Sequence, residues 1–174
     1  MLTIAVVGGK KSGKTTMIEL MVKELADRGY QIVAVKHISE PNFTIDTKGK
    51  DTWKYVQAGA RTVVAVSSDE IATVERVSTK DVKLEEILKK CRNQDVVFLE
   101  GFRELVAKDK HICKVAVVNS TEDFAEAVDA YEPILAFTGT YSTEEACPEI
   151  PYVDVLKDPK KLADIIEKVI KKKL

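Results

Sequence analysis

Seven short apolar runs, each bounded by polar residues, divide the chain: LTIAVV (2–7), IVAVKH (32–37), TVVAVS (62–67), IATVERV (71–77), DVVFLEG (95–101), ICKVAVV (112–118) and PILAFTG (133–139). Most are rich in Val and Ile and nearly continuous in apolarity, which reads as strands covered on both faces, as in a parallel sheet. Helical spacing falls between them. Met17, Leu20, Met21 and Leu25 form a stripe that ends at Gly29, and Leu84, Ile87 and Leu88 form a second. TEDFAEAVDAY starts a helix after Ser120, an N-cap candidate, and DPKKLADIIEKVI opens another with Asp158 as N-cap and Pro159 at the first helical position. The alternation predicts an α/β fold, a mostly parallel sheet with helices on both faces. TVVAVS and IATVERV are separated by only three residues, which predicts a local antiparallel hairpin. Residues 39–50, SEPNFTIDTKGK, form the longest polar stretch without periodicity, and long loops in compact domains are often functional.

With 174 residues, a single domain over 1–174 is expected, large enough for a proper core. The formal net charge of −1 argues against a nucleic-acid partner. The lysines of the C-terminal KVIKKKL read as a solvated helix end, where cations also suit the helix dipole. No leading cationic region precedes LTIAVV, and its apolar run is far shorter than a membrane span, so neither a signal peptide nor a membrane association is expected. Cys91, Cys113 and Cys147 are far apart, odd in number and without CxxC spacing, which points to a reduced, cytoplasmic protein.

The chemistry begins behind the first strand. Gly8-x-x-x-x-Gly13-Lys14-Thr15 matches G-x-x-x-x-G-K-[ST], the phosphate-binding loop. Its glycines let successive backbone N–H groups turn inward as an anion nest, and the following helix adds its positive end. The nucleotide-binding candidates are Gly8, Gly9, Lys10, Lys11, Ser12, Gly13, Lys14, Thr15 and Thr16. Lys14 would reach the β and γ phosphates and the Thr15 hydroxyl would ligate Mg²⁺. Lys10 and Lys11 fit either direct phosphate contact or two solvated lysines. A magnesium site also needs a carboxylate, and Glu100 closes the run VVFLE, where the C-terminal edge of an open α/β sheet receives ligands. Asp95 opens the same run and belongs at the opposite edge. His37, Asp46 and Asp51 are catalytic candidates around the polar loop. Each carboxylate could hold magnesium waters or position an attacking water, or could be a turn former or, for Asp51, a helix cap. His37 could serve as acid or base, touch the γ-phosphate, or pack.

The succession SGKTT, VKH, D-x-x-G-K-D, AGA before a Val-rich strand, and FLEGFRE resembles the MobB family, the molybdopterin-guanine dinucleotide biosynthesis proteins B. The similarity runs from Met1 to about Arg103 and continues more loosely through KVAVV, ILAFTG and IPYVDV. The resemblance implies a P-loop NTPase-like domain that binds GTP and hydrolyses it slowly at most. It implies work beside the molybdopterin guanylyltransferase that joins GMP to molybdopterin, delivering nucleotide or cofactor or passing on the guanine dinucleotide. It further implies a homodimer. Guanine recognition rests on this resemblance. N-K-x-D, the usual guanine reader, is imitated at VVNSTED by Asn119 with Glu122 or Asp123, but Ser replaces Lys. Asn119, Thr138 and Gly139 are candidates for the base wall, and Asn119 with Ser120 could equally begin the next helix.

A P-loop small-molecule kinase is the competing class. It would share the loop, the magnesium and Glu100, but a kinase lid usually carries several arginines to neutralise the transferred phosphoryl. GFRELVAKDKHICK offers Arg103 alone, whose default reading is a surface ion pair.

Overall fold

A computed structural model describes residues 1–79 and 82–173 of the chain. The described elements are β1 (Leu2–Val7), α1 (Lys14–Asp27), β2 (Ile32–Lys36), α2 (Asp51–Gln57), β3 (Thr62–Val66), β4 (Ile71–Glu75), α3 (Leu84–Lys90), β5 (Val96–Glu100), α4 (Arg103–Val106), β6 (Cys113–Val117), α5 (Thr121–Ala130), β7 (Ile134–Thr138) and α6 (Pro159–Lys173). The chain divides into two compact units, one made of Met1–His37 with Leu88–Leu174, the other of Ile38–Ile87.

In the larger unit the strands form one sheet in the order β2-β5-β1-β6-β7, all pairs parallel. β1 lies at its centre and is buried at every position, as an apolar run flanked by strands and covered on both faces must be. Side chains alternate across the sheet. Leu2, Ile4 and Val6 share a core with Met17, Met21 and Leu25 of α1 and with Leu162, Ile166 and Ile170 of α6. On β7, Ala136 joins that core while its neighbour Phe137 meets the Phe124 ring of α5 edge-on at 5.2 Å. Helices thus cover both faces, and each large side chain buried here contributes ~1.5–3 kcal/mol. Lys114 is also fully buried, and its ammonium donates to the carbonyls of Asp109 and Glu132. A buried charge of this kind is tolerable only when so satisfied, so this lysine is structural.

The helix ends follow the expected chemistry. Ser120 caps α5, its hydroxyl accepting from the Asp123 amide at 3.2 Å. Ser120→Ala should therefore lower the unfolding free energy by about 1 kcal/mol in urea titrations, without altering the denaturant slope. The Asp158 carboxylate accepts from the Lys161 amide at 3.1 Å and Pro159 is the first residue of α6. Leu174, the last residue of the lysine-rich tail, lies outside the described residues. Among the described residues no helix is long and apolar enough to cross a membrane.

The smaller unit contains the expected hairpin. β3 and β4 pair antiparallel as a separate two-stranded sheet, Thr62 opposite Glu75 and Val66 opposite Ile71. Val63 is buried, whereas Val64, Val66 and Ile71 are exposed. α2 begins at Asp51, which pairs with Lys54 at 3.0 Å, and Lys50 is the N-cap residue. Asp51 is therefore a first-turn residue that suits the helix dipole rather than the cap itself.

Candidate nucleotide site

The turn after β1 reverses direction sharply. Gly8 has φ +144°, Lys11 +60° and Gly13 +101°. Gly8 is required for space as well, since a Cβ there would lie 2.5 Å from the Val117 carbonyl oxygen. The turn hands directly into α1, whose N-cap is Gly13. No side chain caps that end and no acidic residue occupies its first turn. The first amides of a helix have no intrahelical partner, and here neither a capping side chain nor a first-turn carboxylate takes them, so this end offers its donors and its positive dipole to an incoming anion.

The Lys14 ammonium curls back over the turn, donating to the carbonyls of Gly8, at 3.2 Å, and Gly9, and to Ser12 Oγ at 3.5 Å. Partial burial lowers its pKa from the ordinary value; Glu100 opposes that shift and Lys36 adds to it. A phosphate oxygen is a stronger partner for this charge than neutral carbonyls. Lys10 and Lys11 point to solvent, exposed at the tip.

Strand register brings the carboxylate to the same edge. Val6 lies opposite Glu100 across the β1–β5 pair, and Lys36 lies opposite it across β2–β5. Glu100 accepts from the Thr15 hydroxyl at 3.2 and 3.3 Å through its two oxygens and from Lys36 Nζ at 3.2 Å. The two groups proposed for magnesium are thus already in contact. Among the described residues no group of three His, Cys, Asp or Glu side chains converges. A threonine hydroxyl beside one carboxylate is a donor set that fits Mg²⁺, which keeps several waters and takes one or two protein oxygens with phosphates. Thr15 and Glu100 are the residues that would hold it, where it would neutralise phosphate charge. Asp95 sits at the other edge, its carboxylate accepting from the Gln31 amide at 2.8 Å.

The residues around this edge are committed in particular ways. His37 donates its backbone N–H to the Glu100 carbonyl at 2.8 Å, and its ring packs 5.5 Å from that of Phe102. Gly101, between them, has φ +88°, and a Cβ there would come within 3.0 Å of the His37 carbonyl oxygen. Arg103 pairs with Glu126 of α5 and lies over the Tyr131 ring at 5.8 Å. Asp46 belongs to the smaller unit, where its Oδ1 accepts from the Thr52 hydroxyl and the Thr47 amide, both at 2.8 Å. Its buried Oδ2 has no protein partner among the described residues.

Beside the phosphate turn a cleft opens between the start of α1, the ends of β6 and β7, and the segment Asp154–Leu156. Asn119, Thr138 and Gly139, the candidates for a base wall, all line it. Asn119, however, spends its side chain on scaffolding. Its amide donates to the Ser12 carbonyl at 3.0 Å and its Oδ1 accepts from the Thr140 amide at 3.0 Å, joining the phosphate turn to the end of β7. Asp123 is likewise used locally, Oδ2 accepting from the Asn119 backbone at 2.9 Å. Thr138 is fully buried and its hydroxyl accepts from the Val155 amide at 3.4 Å. The segment Asp154–Leu156 was not visible as part of a site. Its one signal is the short apolar stretch IPYVDV, which returns beside β7 through an isolated bridge between Phe137 and Tyr152.

A parallel sheet in this order, with a glycine-lysine turn entering a helix at its C-terminal edge, defines a P-loop NTPase-like protein. Sequence comparison narrows the class. The family model described as MobB, Molybdopterin guanine dinucleotide synthesis protein B, matches residues 3–138. The chain belongs to the MobB family. It is 32% identical over 148 residues to a putative molybdopterin-guanine dinucleotide biosynthesis adapter protein of Methanocaldococcus jannaschii, covering 83% of this chain and 58% of that protein. It is 31% identical over 103 residues to the molybdopterin-guanine dinucleotide biosynthesis adapter protein of Haemophilus influenzae, covering 58% of this chain and 57% of that protein. The matches therefore span little more than half the length of these curated relatives. A crystal structure of molybdopterin-guanine biosynthesis protein B superposes with TM-score 0.72 at 25% identity, covering 98% of this chain and 99% of the other.

Proposed function

We propose that this chain binds GTP with Mg²⁺ at the turn Gly8–Thr16 and acts in the cytoplasm as an adaptor in molybdenum cofactor guanine dinucleotide biosynthesis. Its partner in this reading is the molybdopterin guanylyltransferase, to which it brings nucleotide, molybdopterin or the finished guanine dinucleotide. The observation that carries the reading is the meeting of Lys14, Thr15 and Glu100 at one sheet edge, in a chain whose named relatives are adapter proteins of that pathway. Arg103 is held by Glu126, which supports slow hydrolysis and counts against fast transfer to a metabolite, because an arginine near the transferred phosphoryl is worth ~10³–10⁵ in rate. Homodimer formation belongs to the same reading and is supported by the exposed apolar side chains of Val64, Val66 and Ile71 on the hairpin.

Calorimetry of the purified protein against GTP, ATP and free molybdopterin, with and without Mg²⁺, tests the proposal. GTP should bind more tightly when Mg²⁺ is present. Glu100→Gln should remove most of that increment, about tenfold in affinity, while leaving Mg²⁺-free binding nearly unchanged. Equal losses in both conditions would count against the metal role. Turnover of many GTP per second without a partner would contradict the adaptor reading, and steady phosphorylation of a small metabolite would support a kinase.

A further inference from the structure

The geometry points to Asp154 as the residue that selects guanine, reading the base edge in the cleft beside the phosphate turn. This rests on the nucleotide reading of that turn and adds the base class. Among the described residues lining the cleft, Asp154 alone is ionisable. The cleft is continuous with the phosphate site, because Ser12, Gly13 and Thr16 form one of its walls. A nucleotide with its phosphates on the Gly8–Thr16 turn therefore has this opening within reach of its base. Met17 and Leu156 contribute apolar wall, and Leu156 is 68% exposed at the rim, free to cover a planar ring.

The other candidates are placed differently. Asn119 has its amide and its carbonyl engaged by Ser12 and Thr140, and Asp123, which accepts from the Asn119 backbone, does not line the cleft. Asp154 retains capacity. Its Oδ1 accepts from the Leu156 amide at 3.2 Å and its Oδ2 from Lys157 Nζ at 2.8 Å, whereas a carboxylate offers about four acceptor sites. The Lys157 hydrogen bond holds its carboxyl below the usual carboxylate range, so the group is acceptor-only at neutral pH. Guanine presents two parallel donors, N1–H and the exocyclic N2 amine, which match a carboxylate's two oxygens. Adenine turns a lone pair at N1 toward the same oxygens and is repelled. The acid is also held in place, since the Asp154 backbone carbonyl accepts from the Lys157 and Asp158 amides at 3.1 and 2.9 Å.

Fluorescent triphosphates of guanosine, inosine, xanthosine and adenosine, titrated into the full chain with Mg²⁺, test the assignment. Wild type should favour GTP at least tenfold over ATP and XTP, with ITP between, because ITP lacks the amine. Asp154→Asn should lose tenfold or more for GTP and gain for XTP. Asparagine still accepts from N1–H but donates its amide to the xanthine O2. It can also still accept from the Leu156 amide, so the loop is retained. Asp154→Ala should lose GTP without gaining XTP. Equal wild-type affinity for GTP and ATP would overturn the assignment whether or not the variants fold. So would an unchanged GTP-to-XTP ratio in Asp154→Asn. Both outcomes leave the phosphate site standing. A wild-type chain that bound none of the four triphosphates would instead overturn the phosphate site, and the base assignment with it.

Discussion

Lys14→Ala is expected to weaken triphosphate binding about 100-fold or more while leaving the nucleotide-free protein folded. The two halves of this expectation have separate causes. In the unliganded chain the ammonium donates to the carbonyls of Gly8 and Gly9 and to Ser12 Oγ. These are partly exposed groups that water can satisfy after the substitution, so the change in stability should stay within about 1 kcal/mol. Bound phosphates are different. One oxygen of the β and one of the γ phosphate would each lose a charge-assisted hydrogen bond, worth about 1.5–3 kcal/mol apiece. Calorimetry with GTP and Mg²⁺ reads the affinity, and thermal melts without nucleotide read the fold. A second consequence follows by mass action. Saturating GTP should raise the wild-type melting temperature and leave the variant's almost unmoved. Unaltered GTP affinity in Lys14→Ala would show that the turn after β1 does not hold phosphates.

Gly139→Ala should be the most damaging single methyl in the cleft wall. Gly139 follows β7 with φ +119°, a conformation that side chains rarely adopt. A Cβ at this position would lie 2.1 Å from the Val118 carbonyl oxygen and 3.0 Å from Asn119 Oδ1. The first neighbour is backbone and cannot swing aside. It is held by the β6–β7 pairing, in which the Val118 amide donates to the Thr138 carbonyl at 2.7 Å. The Gly139 carbonyl is also engaged, accepting from the Tyr152 hydroxyl at 2.7 Å. Backbone strain and overpacking each cost about 1–3 kcal/mol. We therefore expect a loss of about 3 kcal/mol, or roughly 6–12 °C in melting temperature for a chain of this size. Because Asn119 bridges this turn to Ser12, the variant should bind triphosphate more weakly even where it remains folded. A melting temperature within a degree of wild type would show that β7 can shift away from Val118.

The strands were legible because each is short, apolar and bounded by polar residues, and a buried parallel sheet demands that pattern. β1 occupies the predicted residues 2–7, and the others fall within a residue or two of their runs. The hairpin was legible from its three-residue spacing. The phosphate turn was legible because glycine, lysine and threonine at fixed offsets between a strand and a helix satisfy a local requirement. Glu100 could be placed at the right edge by counting apolar residues from Asp95. α4 was not anticipated, since its four residues carry too little periodicity to show. The role of Asn119 was also hidden, because the imitation of N-K-x-D concerns spacing along the chain, while the amide is engaged by Ser12, 107 residues away.

From the sequence alone came the class of fold, the glycine-lysine turn between β1 and α1 and the carboxylate beside it. These depend on chemistry between residues near one another in the chain or on the period of a strand. Only the tertiary structure decided that Lys36 and Thr15 share Glu100, that Arg103 is turned toward Glu126, and that Asp154 stands in the cleft beside Gly13. Those relations arise from strand order and crossover connections, which bring residues more than twenty positions apart to one edge of the sheet. A period along the chain carries no record of which distant carboxylate or cation the fold will set opposite.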